Sequence, residues 1–266
     1  MTGTTISGIH YVSVTLSSAA TQNPATVATG ATIAADGSAL IGQSPTSWTI
    51  TNYGIISGTG NVGTGISMAG SGTIFNRSSG SIYGTNHGVA LAGGGTLSNE
   101  GSISAGTTGV NAGAVYLVAG GYVTNLSGGV ISAASSGILG LGAGAVTVAN
   151  QGTITAATVG VYINTGGSVT NQSGGVINAG GNGIELLVAS PAYTGYVANL
   201  SGGTILAGTF GIYVSGGAAV NQGFISATSD GMLLIGGSSG TNETGGTIIA
   251  SGVGVSLDGG SFTNQS

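Results

Sequence analysis

The chain contains no cysteine and no lysine, and its single arginine, Arg77, stands against six acidic residues. Without cysteine neither a disulfide framework nor a thiolate site can form. Without a basic patch there is no electrostatic footprint for nucleic acid or anionic lipid, so neither is expected as a partner. Charged residues make up only 3% of the 266 residues, and the net charge is −5. Low charge suits membranes, but a helical span needs about 18 uninterrupted apolar residues. Gly, Ser, Thr or Asn breaks every apolar stretch after a few positions, so no membrane insertion of this segment is expected. No secretory leader is legible either, and polar residues directly after Met1 suggest an engineered start or a mature chain whose targeting segment has been left out.

What the chain has is regularity. A hydrophobic content of 41% recurs at fixed positions, which offsets ordering entropy and argues against disorder. The stretch Thr170 to Ala179, TNQSGGVINA, returns as TNYGIISG, FNRSSGSIYG, SNEGSISA, TNLSGGVISA, ANQGTITA, ANLSGGTILA, VNQGFISA, TNETGGTIIA and TNQS. The shared asparagines Asn52, Asn76, Asn99, Asn125, Asn150, Asn171, Asn199, Asn221, Asn242 and Asn264 lie 21 to 28 residues apart. A period in that range is the signature of stacked repeats.

Each unit carries three short alternating segments. The first ends at the asparagine with an apolar residue two positions before it, as at Ile50, Leu97 and Val169. The second is centred on an isoleucine: Ile56, Ile82, Ile103, Ile131, Ile154, Ile177, Ile205, Ile225 and Ile248. The third opens with glycine and places two apolar residues around an outward one, as in Gly160-Val161-Tyr162-Ile163. Alternation with period two is the strand signal, and glycine supplies the corners. A helix is disfavoured because each of the 57 glycines would cost about 1 kcal/mol in it. The predicted fold is therefore all-β: a parallel, three-sided β-solenoid of about 10–11 coils. Residues 1–30 read as a cap or incomplete first coil and 31–266 as the repeats, which are expected to continue or to stack on another chain at the C-terminal end.

The isoleucine follows the asparagine by four residues in units such as Asn99 and by six in units such as Asn171. A change of two keeps the isoleucine on the same face. Asparagine tolerates tight corners, and its amide can bond to coils above and below, so an internal asparagine ladder is expected. Asn76, Asn125, Asn171, Asn199, Asn242 and Asn264 also match the N-glycosylation acceptor pattern, but every match falls on a ladder position, so turn chemistry is the better explanation. Ala219 and Gly240 leave the inward position before Asn221 and Asn242 underfilled, and Phe210, Phe224 or Met232 is expected to supply the volume or the coil to pinch.

The alternation of N-x-(S/T)-G-G-x-I with N-x-G-x-I, followed by alanine and a G-(I/V)-x-(L/V) strand, resembles the passenger regions of autotransporter-type surface proteins of Gram-negative bacteria. The resemblance covers the chain from about residue 30 onward. It implies a right-handed β-helix displayed outside the cell, at the bacterial surface or secreted, as an adhesin or biofilm component.

Catalytic constellations are missing. The aspartates are scattered, and no two carboxylates are placed as glycoside hydrolysis requires. His10 and His87 lack companions at metal spacing. No catalytic residue, cofactor or metal is expected. The candidate contact surface comprises outward Tyr162, Glu185 and Tyr213 on successive third strands, with Tyr193 and Tyr196 beside the loop carrying Pro191. Tyrosines there could stack on sugars or anchor a protein, or could simply pack against one another. Three readings result: a non-catalytic structural or adhesive rod that self-associates laterally or end to end, a glycan-binding module, and an ice-binding solenoid suggested by Thr49-Ile50-Thr51 and Thr153-Ile154-Thr155. The last pairs do not repeat on adjacent coils.

Overall fold

In the computed structural model, residues 3–107, 109, 111–188 and 194–265 are described. They form a parallel β-solenoid of about 11 coils. Each coil contributes three strands. The first strands build a 12-stranded sheet, and the second and third strands join in a 20-stranded sheet. These two rows share one sheet because Thr32–Gly42 and Ile55–Met68 run through the corner without a break. Among the described residues one helical turn is present, Ala19–Gln22.

Pairing begins at Thr4. Thr4–Ile6 pairs with Ala25–Val27, Ile9–His10 with Thr32 and Ile33, and Val14–Leu16 with the end of Thr32–Gly42. The outermost coil is therefore itself made of three short strands.

The isoleucines stack as the alternation requires. Ile56, Ile82, Ile103, Ile131, Ile154, Ile177, Ile205 and Ile225 are fully buried, and they pair residue for residue between coils. Ile82, Ile103, Ile154, Ile177, Ile205 and Ile225 each lie against the opening glycine of a third strand. A Cβ on Gly160 would fall 2.5 Å from Ile177 Cγ2, and one on Gly183 would fall 2.5 Å from Ile205 Cγ2. Glycine at this corner is thus the space into which the next coil's isoleucine packs.

The asparagine ladder runs without interruption from Asn52 to Asn264. Each Nδ2 donates to the Oδ1 of the following asparagine at 2.8–2.9 Å. The same Nδ2 groups donate to a corner glycine carbonyl of their own coil, as Asn76 does to Gly80 at 3.2 Å and Asn171 to Gly175 at 3.1 Å. The ladder starts where Val27 is replaced in register by Asn52. There Asn52 Oδ1 accepts the Gly54 N–H at 3.1 Å instead of an amide from below. Asn52, Asn76, Asn99, Asn125, Asn150, Asn171, Asn199 and Asn221 are completely buried. The acceptor motifs at Asn76, Asn125, Asn171 and Asn199 therefore have no free amide in the folded chain.

Both turn lengths serve the same ladder. In the long turns an N–H closes back three residues, from Gly80 to Arg77 O, Gly129 to Leu126 O, Gly175 to Gln172 O, Gly203 to Leu200 O and Gly246 to Glu243 O. The glycine that ends each turn cannot be enlarged: a Cβ at Gly175 would sit 2.4 Å from Asn150 O and 2.5 Å from Asn171 Oδ1. This explains why G-x-I precedes every corner's isoleucine in both forms of the repeat.

The underfilled coil is repaired differently from the sequence expectation. Phe210 and Phe224 are only partly buried, and Phe210 packs edge-on against Tyr213 at 6.0 Å on the outside. Met232 is in the core, but the space over Gly240 is taken by Leu234 and Phe262, whose Cδ atoms would lie 2.4 and 3.0 Å from an added Cβ. The third-strand leucine and the next coil's phenylalanine reach a gap that outward residues cannot.

Replacing Asn171 by Ala deletes one rung, taking from Asn150 Nδ2 its ladder acceptor and from Asn199 Oδ1 its donor. The expected loss is about 2 kcal/mol or more by chemical denaturation, and Gly175→Ala is expected to lose at least as much through overpacking. Ser173→Ala, exposed in the same turn, should stay within about 0.5 kcal/mol of wild type.

Candidate functional site

The outward positions of the third strands form one continuous row. Ala90, Tyr116, Leu139, Tyr162, Glu185, Tyr213 and Leu233 follow one another in register. The predicted contact residues Tyr162, Glu185 and Tyr213 are therefore true neighbours, one per coil. Tyr196 is not part of this group. It lies on the first sheet in register with Ser168 and Ala218, because Gly195–Asn199 is an asparagine-bearing strand. Tyr193 and Pro191 lie outside the described residues.

Beside the row, at the corner between second and third strands, is an open groove of about 720 Å³. Its floor and walls come from Ala134, Leu139, Leu141, Ala157 and Val159, with Ser135, Ser136, Thr158, Tyr162 and Glu185 adding polar atoms and Gly109 and Asn111 at one end. Leu139 is only 2% exposed although its row faces outward, since Tyr116 and Tyr162 flank it on the adjoining coils. Sequence alternation located this row but could not reveal the groove, which depends on how corners of different length line up.

Glu185 is the one ionisable carboxyl in the groove. Asn182 Nδ2 donates to its Oε2 at 2.8 Å, while Asn182 Oδ1 accepts the Phe210 N–H at 3.3 Å. Burial pushes the Glu185 carboxyl above its usual range, partly offset by the Asn182 hydrogen bond. Burial likewise raises the Tyr162 phenol, with the nearby Glu185 charge and Tyr213 adding to the effect. The chain's arginine cannot compensate. Arg77 Nη1 meets Glu100 Oε1 at 2.8 Å at the asparagine corner, and its guanidinium lies 4.9 Å from the Phe75 ring centroid.

Two coils before Leu139, His87 is buried and stacks on Tyr116, ring centroids 4.6 Å apart at 13°. Its Nδ1 donates to the Gly113 carbonyl at 3.2 Å. Desolvation lowers its pKa, opposed by that hydrogen bond. Among the described residues no three His, Cys, Asp or Glu side chains group as a metal site would need. The outward pair Thr49 and Thr51 aligns with Thr73 and Phe75, and Thr153 and Thr155 align with Val176 and Asn178. Neither pair repeats on the neighbouring coil.

These features define a class: a sparsely charged, three-strand-per-coil β-solenoid with a buried asparagine ladder. No family model, no curated protein and no solved structure matches the chain.

The ordinary His87 pKa is 6.5 and burial lowers it, so His87 contributes stability that is present above pH 6.5 and lost as pH falls through the lowered value. Melting temperatures recorded from about pH 7.5 down to 5 should fall more steeply for wild type than for His87→Phe, which keeps the ring stack and cannot titrate. Glu185 acts oppositely: its raised pKa gives stability present in acid and lost as pH rises. It is common to both proteins and cancels in the comparison.

Proposed function

We propose that the protein is a non-catalytic extracellular rod of the autotransporter-passenger kind that associates with copies of itself at or outside a bacterial surface. The observation that carries this reading is the first sheet. Its two outward rows, running through Thr49, Thr73, Thr96, Tyr122, Thr147, Ser168 and Tyr196 and through Thr51, Phe75, Ser98, Thr124, Ala149, Thr170 and Ala198, hold no charged side chain. Twelve strands spaced about 4.8 Å apart make this face roughly 53 Å long, and five residues at about 3.3 Å make it roughly 16 Å wide. That plane is comparable with the roughly 800 Å² per partner of a stable interface. Because these rows hold no charged side chain, copies meeting through this face bring no like charges into contact. Tyr122, 61% exposed, and Tyr196, 43% exposed, offer anchors of the type enriched at interface centres.

Sedimentation velocity across a concentration series is expected to show elongated assemblies that persist in high salt. Thr147→Arg with Ser168→Arg should shift them to monomer. A wild-type protein that stays monomeric throughout, with no retention on surfaces, would refute the reading.

A second reading, glycan binding, is favoured by the adjacency of Tyr162, Glu185 and Tyr213. A glycan array would then show signals that Tyr162→Ala with Tyr213→Ala abolishes.

A further inference from the structure

We propose that the groove beside Leu139 is a binding site for small amphiphilic cations, molecules with an apolar body and one ammonium group that meets the Glu185 carboxylate. Its volume, about 720 Å³, is in the range of small-molecule sites, which are mostly apolar with a few fixed polar groups. Leu141, Val159, Ala134 and Ala157 supply an apolar wall, with Leu139 closing it from behind. A ligand with an apolar body would cover that wall.

The charge in the groove has one sign. Glu185 is held by Asn182, a neutral donor, and the Phe210 N–H fixes which way the Asn182 amide points. The carboxylate is thereby oriented without being neutralised. The protein has nothing else to offer it: lysine is absent and Arg77 is engaged with Glu100 at the asparagine corner. A half-buried carboxylate on an apolar wall lacks the cation that ordinarily accompanies such a group. An incoming ammonium supplies it, and the Tyr162 ring on the preceding coil offers an aromatic surface that attracts the same charge. An anion meets only repulsion there.

The probes are 2-phenylethylammonium, neutral 2-phenylethanol and 3-phenylpropionate, titrated by saturation-transfer NMR on the whole chain. The ammonium should bind saturably and at least about tenfold more tightly than the alcohol, a factor of ten being about 1.4 kcal/mol, and the propionate should be the weakest. Glu185→Gln, which keeps size and shape, should bring the ammonium down to the level of the alcohol without weakening the alcohol. Val159→Trp, which fills the groove, should weaken both. Equal binding of ammonium and alcohol to wild type, unchanged ammonium affinity in Glu185→Gln, or no saturable binding of the ammonium would each overturn the proposal. Self-association measured on Glu185→Gln is expected to match wild type, so the rod reading stands or falls separately.

Discussion

A primary amide inside a protein must find partners for two N–H groups and one carbonyl, and the asparagine ladder meets that demand by making each coil complete the one before it. Nδ2 of one asparagine reaches Oδ1 of the next at 2.8–2.9 Å through nine links. A slip of one residue would break the rungs on both sides and turn the apolar rows outward. Register is thus specified twice, once by hydrophobic alternation and once by polar satisfaction. The glycine two places before each isoleucine follows from this: the ladder amides and the preceding backbone occupy the volume a side chain would need.

The coil tolerates variation only where the ladder permits it. Turns differ by two residues, never one, because two restores the inward direction of the isoleucine. Where the inward residue shrinks to Gly240, the compensation comes from Leu234 and Phe262, which already point at the core. The larger differences in coil length fall at the other corners, away from the asparagines. One of them borders the groove around Leu139.

Polarity is divided sharply between inside and outside. Inside, the ladder asparagines are paired from coil to coil. Outside, the first sheet presents hydroxyls, small apolar groups and two prominent tyrosines with no charge at all. The few ionised groups stand at corners or on the third-strand row, where Arg77 and Glu100 neutralise one another at the surface and Glu185 has only an amide for company. A surface pair of that kind contributes little to stability, so cohesion rests on the stacked isoleucines, the ladder and the inter-coil sheet bonds.

The repeat, the three strands, the ladder positions and the stacking of Tyr162, Glu185 and Tyr213 were all legible in the sequence, because a fixed period translates spacing directly into register. Tyr196 was misplaced beside that row, since closeness along the chain says nothing about which side of a corner a residue occupies. The fillers over Gly240, the stack of His87 on Tyr116 and the groove were also beyond the sequence. They depend on how unequal corners and side chains of different coils meet in space. Spacing determined which residues lie one above another; only the folded coil decided what lies across from them, because that distance is set by packing around the core and not by position along the chain.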